Sequence, residues 1–137
     1  MTSLLLEPAE SGTARMLDGP AAAYRLFAGL SDAPRELAVF AYVDAAGTLL
    51  GLRHAPGEAV DSCAIPVRAV AGDALAFGAC GLVMAHNHPS GDPTPSRGDR
   101  EATRGLARAL GPLGVRVIDH LVFARRGTTS FRALGWL

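Results

Sequence analysis

His86 and His88 stand two residues apart at the end of the apolar run Gly81-Leu82-Val83-Met84-Ala85. If that run is a strand continuing through them, both imidazoles leave the same face, because alternate residues of a strand share a face. Two imidazoles so placed can chelate one metal ion, whereas either alone reads as an ordinary packed, hydrogen-bonded histidine. A third ligand is needed, and the next helix supplies a candidate. Ser96 to Leu110 reads as a helix with Gly111-Pro112 as its stop. At about 100° per residue, Arg97, Arg100, Arg104 and Arg108 share an arc of about 80°, and Asp99 falls on the opposite side with Leu106 and Leu110. A core-facing carboxylate requires a partner. Asp99 also has a local role: with Ser96 at the N-cap it forms a variant of the capping box, and an acid is favourable at a helix start. The two roles are compatible, since the cap aims Asp99 back at the loop that bears the histidines.

Two neutral imidazoles and one carboxylate, with a position left for water, form a catalytic zinc donor set. Zinc lowers the pKa of bound water towards about 7 and so supplies a nucleophile at neutral pH. This chemistry also calls for a carboxylate base and for a donor to the developing oxyanion, a part that the Ser96 hydroxyl can take.

The elements that must position these groups follow from periodicity and breakers. Ser11 to Leu30 suggests one or two short helices interrupted by Asp18-Gly19-Pro20, packed on the rest. Leu37 to Val43, the turn residues Asp44-Ala45-Ala46-Gly47 and apolar Leu49 to Leu52 predict a β-hairpin. A third strand is expected over Val60 to Ile65, then a helix over Val67 to Phe77 that opens after Pro66 and ends at Gly78. The run from Gly81 to Ala85 reads as a strand buried on both faces, and Val115 to Phe123 as another. Strand, helix and strand alternate after residue 66, so the fold class is α/β or α+β, with a mixed sheet and helices packed against it.

Composition sets the outer limits. The chain has 137 residues, enough for one domain with a complete core, and 49% are hydrophobic. Thirteen basic residues, all Arg, balance 13 acidic ones, so no chain-wide field favours nucleic acid or an anionic membrane. Asn87 is the only asparagine. No stretch of 18 or more apolar residues occurs and the N-terminus lacks a basic region before its apolar run, which points to a cytoplasmic protein. Cys63 and Cys80 form no C-x-x-C pair and are expected to be small buried side chains.

His86-x-His88, seven residues, Ser96, two residues and Asp99 match H-x-H-x7-S-x2-D, the core of the JAMM motif of MPN (JAB-domain) metallopeptidases. The string from His86 to Ser96 resembles the bacterial RadC family in particular, as do Asp119-His120-Leu121-Val122 and Ser130-Phe131. The resemblance covers about residues 36–137, leaving a short helical segment over 1–35. It implies a curved mixed sheet with flanking helices, zinc on His86, His88 and Asp99, Ser96 assisting the tetrahedral intermediate, and a peptide or protein substrate.

It also implies a catalytic Glu on an earlier strand, which an ungapped alignment puts near Leu52, Arg53 or His54, where no Glu stands. Glu58 is the nearest candidate and His54 a substitute; Glu36, which opens a strand, is less suited. The leader is also too short for the helical domain that usually precedes this one in RadC proteins, which removes the usual vehicle for DNA binding. The reading is therefore a zinc-dependent peptidase or isopeptidase. Its alternatives are a metal-binding scaffold without hydrolysis and a DNA-repair-associated factor. HNH nucleases spread their three residues over a ββα unit, unlike adjacent His86-Asn87-His88, and the zinc deaminase pattern is missing. His120 has two readings, a packed histidine or a group behind a metal ligand. The Arg stripe reads as a solvated face, with Arg97 and Glu101 paired at i, i+4.

Overall fold

A computed structural model describes residues 16–56 and 65–137. Within them, five strands make one mixed sheet: β1 (Leu37–Val43), β2 (Leu49–Pro56), β3 (Gly81–Asn87), β4 (Arg116–Ala124) and β5 (Gly127–Ser130). Three helices accompany it: α1 (Pro20–Phe27), α2 (Val67–Phe77) and α3 (Arg97–Leu110). The spatial order is β2-β1-β3-β4-β5, with β3 and β4 parallel and every other pair antiparallel. The expected hairpin forms, and Asp44 builds its turn by accepting from the Ala46 and Thr48 amides at 2.9 Å each. Gly47 takes φ 87°, a backbone state that favours glycine. The helix over Val67–Phe77 ends as expected in left-handed Gly78, whose N–H bonds back to the Ala74 and Leu75 carbonyls.

The central strand β3 is buried along its whole length. Its period-2 alternation divides the core in two. Leu82 and Met84 face α2 and α3, packing with Phe40, Tyr42, Val70, Leu106 and Leu110. Val83 and Ala85 face the other way, onto Ala23 and Phe27 of α1 and onto Leu30. Leu30 belongs to a 3-10 turn, Ala28–Asp32, that continues α1. Asp18-Gly19-Pro20 thus starts a helix here, with Pro20 in the first turn, where its missing N–H costs no bond. The strand expected over Val60 to Ile65 lies outside the described residues except for Ile65, which precedes α2 in no regular element. Cys63 also lies outside them, and Cys80 is exposed in the turn before β3 instead of buried. No helix among the described residues is long and apolar enough to cross a membrane.

Helix α3 is held by one apolar face. Leu106 and Leu110 are fully buried, while Arg97, Arg100, Arg104 and Arg108 are exposed. Truncating Leu106 removes most of a buried side chain and leaves a cavity between helix and sheet. Leu106→Ala is expected to cost about 2–5 kcal/mol in urea unfolding; a cost below about 1 kcal/mol would show that α3 is not anchored there.

Candidate metal centre

The parallel pair β3–β4 requires a crossover, and the loop after β3 together with α3 provides it. His86 is the penultimate residue of β3 and is fully buried. His88 follows the strand, and its amide still donates to the Phe123 carbonyl of β4 at 2.8 Å, so the strand direction persists through it. Both rings therefore leave the same face, with centroids 4.9 Å apart and Nε2 atoms 3.0 Å apart.

Asp99 arrives from the first turn of α3. Ser96 is the N-cap: its Oγ accepts from the Asp99 amide at 3.0 Å, and Asp99 Oδ2 accepts from the Ser96 amide at 2.8 Å, completing the expected capping box. The same Oδ2 lies 3.4 Å from His86 Nε2 and 3.2 Å from His88 Nε2. Asp99 is 3% exposed, so its charge is met inside the protein. Burial by itself raises the Asp99 carboxyl, but the His86 and His88 imidazoles beside it and the Ser96 amide outweigh it and hold the group well below the usual carboxylate range. His88 is shifted up, chiefly by its bond to Asp99, against the opposing effect of burial.

Behind these groups lies a buried polar chain. His86 Nδ1 is 2.6 Å from His120 Nε2, His120 Nδ1 is 2.6 Å from Thr103 Oγ1, and Thr103 Oγ1 is 2.7 Å from the Asp99 carbonyl. His88 Nδ1 bonds the Asp92 carbonyl at 2.9 Å. His120 is fully buried and held well below the ordinary imidazole value by desolvation, so it is neutral. Of its two sequence readings, the structure brings out the one behind a candidate ligand. The C-terminal turn covers it: Phe131 stacks on the His120 ring at 4.4 Å and its amide donates to the His120 carbonyl at 3.0 Å.

A fourth group enters beside β1, a second carboxylate among the described residues. β1 runs antiparallel to β3 with Ala38 opposite His86, so the residue just before β1 comes to lie beside the residue that follows β3. That residue is Glu36. A carboxylate oxygen of Glu36 and one nitrogen each of His86 and His88 lie within 4.8 Å of one another, a group able to hold a metal ion. Glu36, the position judged less suited from sequence, thus reaches the histidines among the described residues. The substitute, His54, is on the wrong side of the sheet. It pairs with Val39, which faces α1, whereas His86 pairs with Ala38, which faces α2 and α3. Glu58 lies outside the described residues. β2, where the resemblance puts the glutamate, is separated from β3 by β1.

Asn87, between the two histidines, holds Glu36 in place. Its side chain points away from theirs and makes three bonds to one segment: Oδ1 accepts from the Leu37 amide at 2.7 Å, and Nδ2 donates to the Arg35 and Ala33 carbonyls at 2.9 and 3.2 Å. It is 1% exposed, so truncation strands buried backbone groups. Asn87→Ala is expected to lose about 2–4 kcal/mol of unfolding free energy and to speed hydrogen exchange at the Leu37 amide. Unchanged exchange at Leu37 would mean that the clamp does not hold the Glu36 segment.

Comparison with known proteins identifies the family. The family model of the RadC-like JAB domain matches residues 17–136, a span that takes in α1 as well as the sheet. A UPF0758 protein of Symbiobacterium thermophilum is 59% identical over 56 residues, which are 41% of this chain and 24% of that protein. A UPF0758 protein of Burkholderia thailandensis is 38% identical over 104 residues, covering 76% of this chain and 40% of the relative. A third, from Aeromonas hydrophila subsp. hydrophila, is 37% identical over 112 residues, 82% of this chain and 50% of its own length. This chain therefore spans half or less of each of these relatives. With the family match running over nearly all of the described residues, the chain belongs to the RadC-like JAB domain family.

Proposed function

We propose that this domain is a zinc-dependent hydrolase of peptide or isopeptide bonds, with His86, His88 and Asp99 as zinc ligands, Glu36 as general base and Ser96 as oxyanion donor. The observation that carries the reading is the meeting of His86 Nε2, His88 Nε2 and Asp99 Oδ2 at mutual distances of 3.0, 3.2 and 3.4 Å, with Glu36 next to both histidines. At bond lengths of about 2.0–2.2 Å, the ligands of a tetrahedral centre stand about 3.3–3.6 Å apart. The donor set fits zinc in type, its separations of 3.0 to 3.4 Å come close to that range, and three such ligands would leave a fourth position for water. Zinc held there supplies Lewis acidity and lowers the pKa of a bound water towards about 7.

The remaining work falls to residues of the chain. Glu36 takes the proton of the attacking water and returns it to the leaving amine, a role that needs a carboxylate beside the ligands but not among them. Asn87 keeps Glu36 there through three hydrogen bonds. The Ser96 Oγ accepts from the Asp99 amide, so its single hydrogen is free to point outward at an oxyanion. The scaffold alternative rested on a missing glutamate, and Glu36 beside both histidines supports the hydrolase reading over it. Neutral net charge favours a peptide or protein substrate over DNA.

Purified protein is expected to hold about one zinc per chain, as His₂-carboxylate sites do, and to lose it on His88→Ala or Asp99→Ala; full retention in both variants would exclude this donor set. Glu36→Gln should bind zinc yet lose at least about 100-fold in peptide hydrolysis, with Glu58→Gln close to wild type. The opposite ranking would return the base to Glu58.

A pH dependence follows with opposite signs for the two forms. His88 is raised, so in chelated protein its contribution is present below the unfolded value of about 6.5 and is lost as pH rises through the folded one. Asp99 is lowered, so its contribution is present above about 4 and is lost only as pH falls towards its folded value. Zinc requires a bare His88 nitrogen, so its stabilisation grows as that proton leaves. As pH rises above about 6.5, therefore, the pair's contribution to the chelator-treated protein falls while the zinc-dependent rise in Tm grows. Thermal unfolding with and without zinc measures both, and a zinc increment that shrinks with pH would contradict the assignment.

A further inference from the structure

The hydrogen bonds behind His86 have a direction, and that direction is fixed at one end by a backbone carbonyl. Thr103 Oγ1 lies 2.7 Å from the Asp99 carbonyl oxygen. A carbonyl oxygen carries only lone pairs, so at that distance the hydroxyl hydrogen lies between the two oxygens. The hydroxyl has no second hydrogen. Towards His120, 2.6 Å away, it presents a lone pair, and His120 Nδ1 must donate. A neutral imidazole has one N–H, which leaves His120 Nε2 bare. That atom is 2.6 Å from His86 Nδ1, so His86 donates in its turn. His86 then keeps a bare Nε2, the atom that faces Asp99 Oδ2 and His88 Nε2.

We propose that Thr103 and His120 are positioning residues for His86: a hydrogen-bond chain that starts at the Asp99 carbonyl sets His86 in the Nδ1–H tautomer and aims its bare Nε2 at the metal position. The chain begins and ends on one residue, because the Asp99 carbonyl orients Thr103 and the Asp99 carboxylate meets His86. Helix α3 carries the first two members, β4 the third and β3 the fourth, so the tautomer is set by how helix and sheet dock. The C-terminal turn keeps the chain dry. Asp119 Oδ1 accepts from the His120 and Arg132 amides, and Asp119 Oδ2 accepts from Ser130 Oγ, which together seat Phe131 on the His120 ring. Asp119-His120 and Ser130-Phe131, prominent in the sequence but without a part in the hydrolytic scheme, thereby have one.

The effect on metal affinity rests on the zinc reading above, whereas the tautomer does not. In metal-free protein labelled with ¹⁵N-histidine, long-range ¹H–¹⁵N correlation is expected to show His86 protonated at Nδ1 and bare at Nε2. Thr103→Val, which keeps the shape and removes the hydroxyl, should release the tautomer into a mixture and weaken zinc about 10–100-fold in competition with a coloured chelator. Thr103→Ser should restore both. A proton on Nε2 of His86 in the wild type would overturn the proposal, as would folded Thr103→Val with unchanged tautomer and affinity. Should Thr103→Val fail to fold, the wild-type tautomer decides alone. Should the wild type take up no zinc, the hydrolase reading falls and the same spectrum still decides whether the chain acts on His86.

Discussion

Three lone-pair donors meet at the C-terminal end of β3, two imidazole nitrogens and a carboxylate oxygen, at separations of 3.0 to 3.4 Å. Such groups repel at that range unless a proton or a metal cation lies between them. Much of the neighbouring structure holds them there against that repulsion. The capping box fixes the carboxylate, the Asp92 carbonyl restrains His88, and the His120–Thr103 chain restrains His86. The apolar face of α3, through Leu106 and Leu110, supplies the anchor that keeps the carboxylate from retreating into solvent.

Strand order extends the same constraint to Glu36. β3 is flanked by an antiparallel strand on one side and a parallel one on the other. At its C-terminal end it is therefore met by the beginning of β1 and by the end of β4. The first delivers Glu36, and the second delivers the carbonyl of Phe123 that receives the His88 amide. Asn87 links the two histidines to the entry of β1, so one tripeptide carries both candidate ligands and fastens the segment that bears Glu36.

How much of this was legible in the sequence depended on whether the information was local. β3 was readable because a strand buried on both faces is a continuous apolar run, and α3 because its arginines and leucines segregate at helical spacing. The cap was readable because Ser96 and Asp99 are three residues apart. Glu36 was not, because its proximity to His86 comes from pairing between strands about fifty residues apart, and register across that distance leaves no local trace. In an antiparallel neighbour the residue just before the strand is the one that meets the partner's end, and no periodicity within the strand marks it. β5 escaped notice because Gly127–Ser130 has no apolar alternation and is held as a strand by pairing with β4 alone.

The C-terminal turn has a spectroscopic consequence. Trp136 is the only tryptophan of the chain and packs edge-on against Phe131 at 5.2 Å, with the Arg100 guanidinium of α3 over the indole, 4.2 Å from its ring centroid. Phe131 in turn lies flat on His120. The indole is thus two ring contacts from the imidazole that backs His86, and its emission is a native, label-free reporter of whether the tail is seated over the buried histidines.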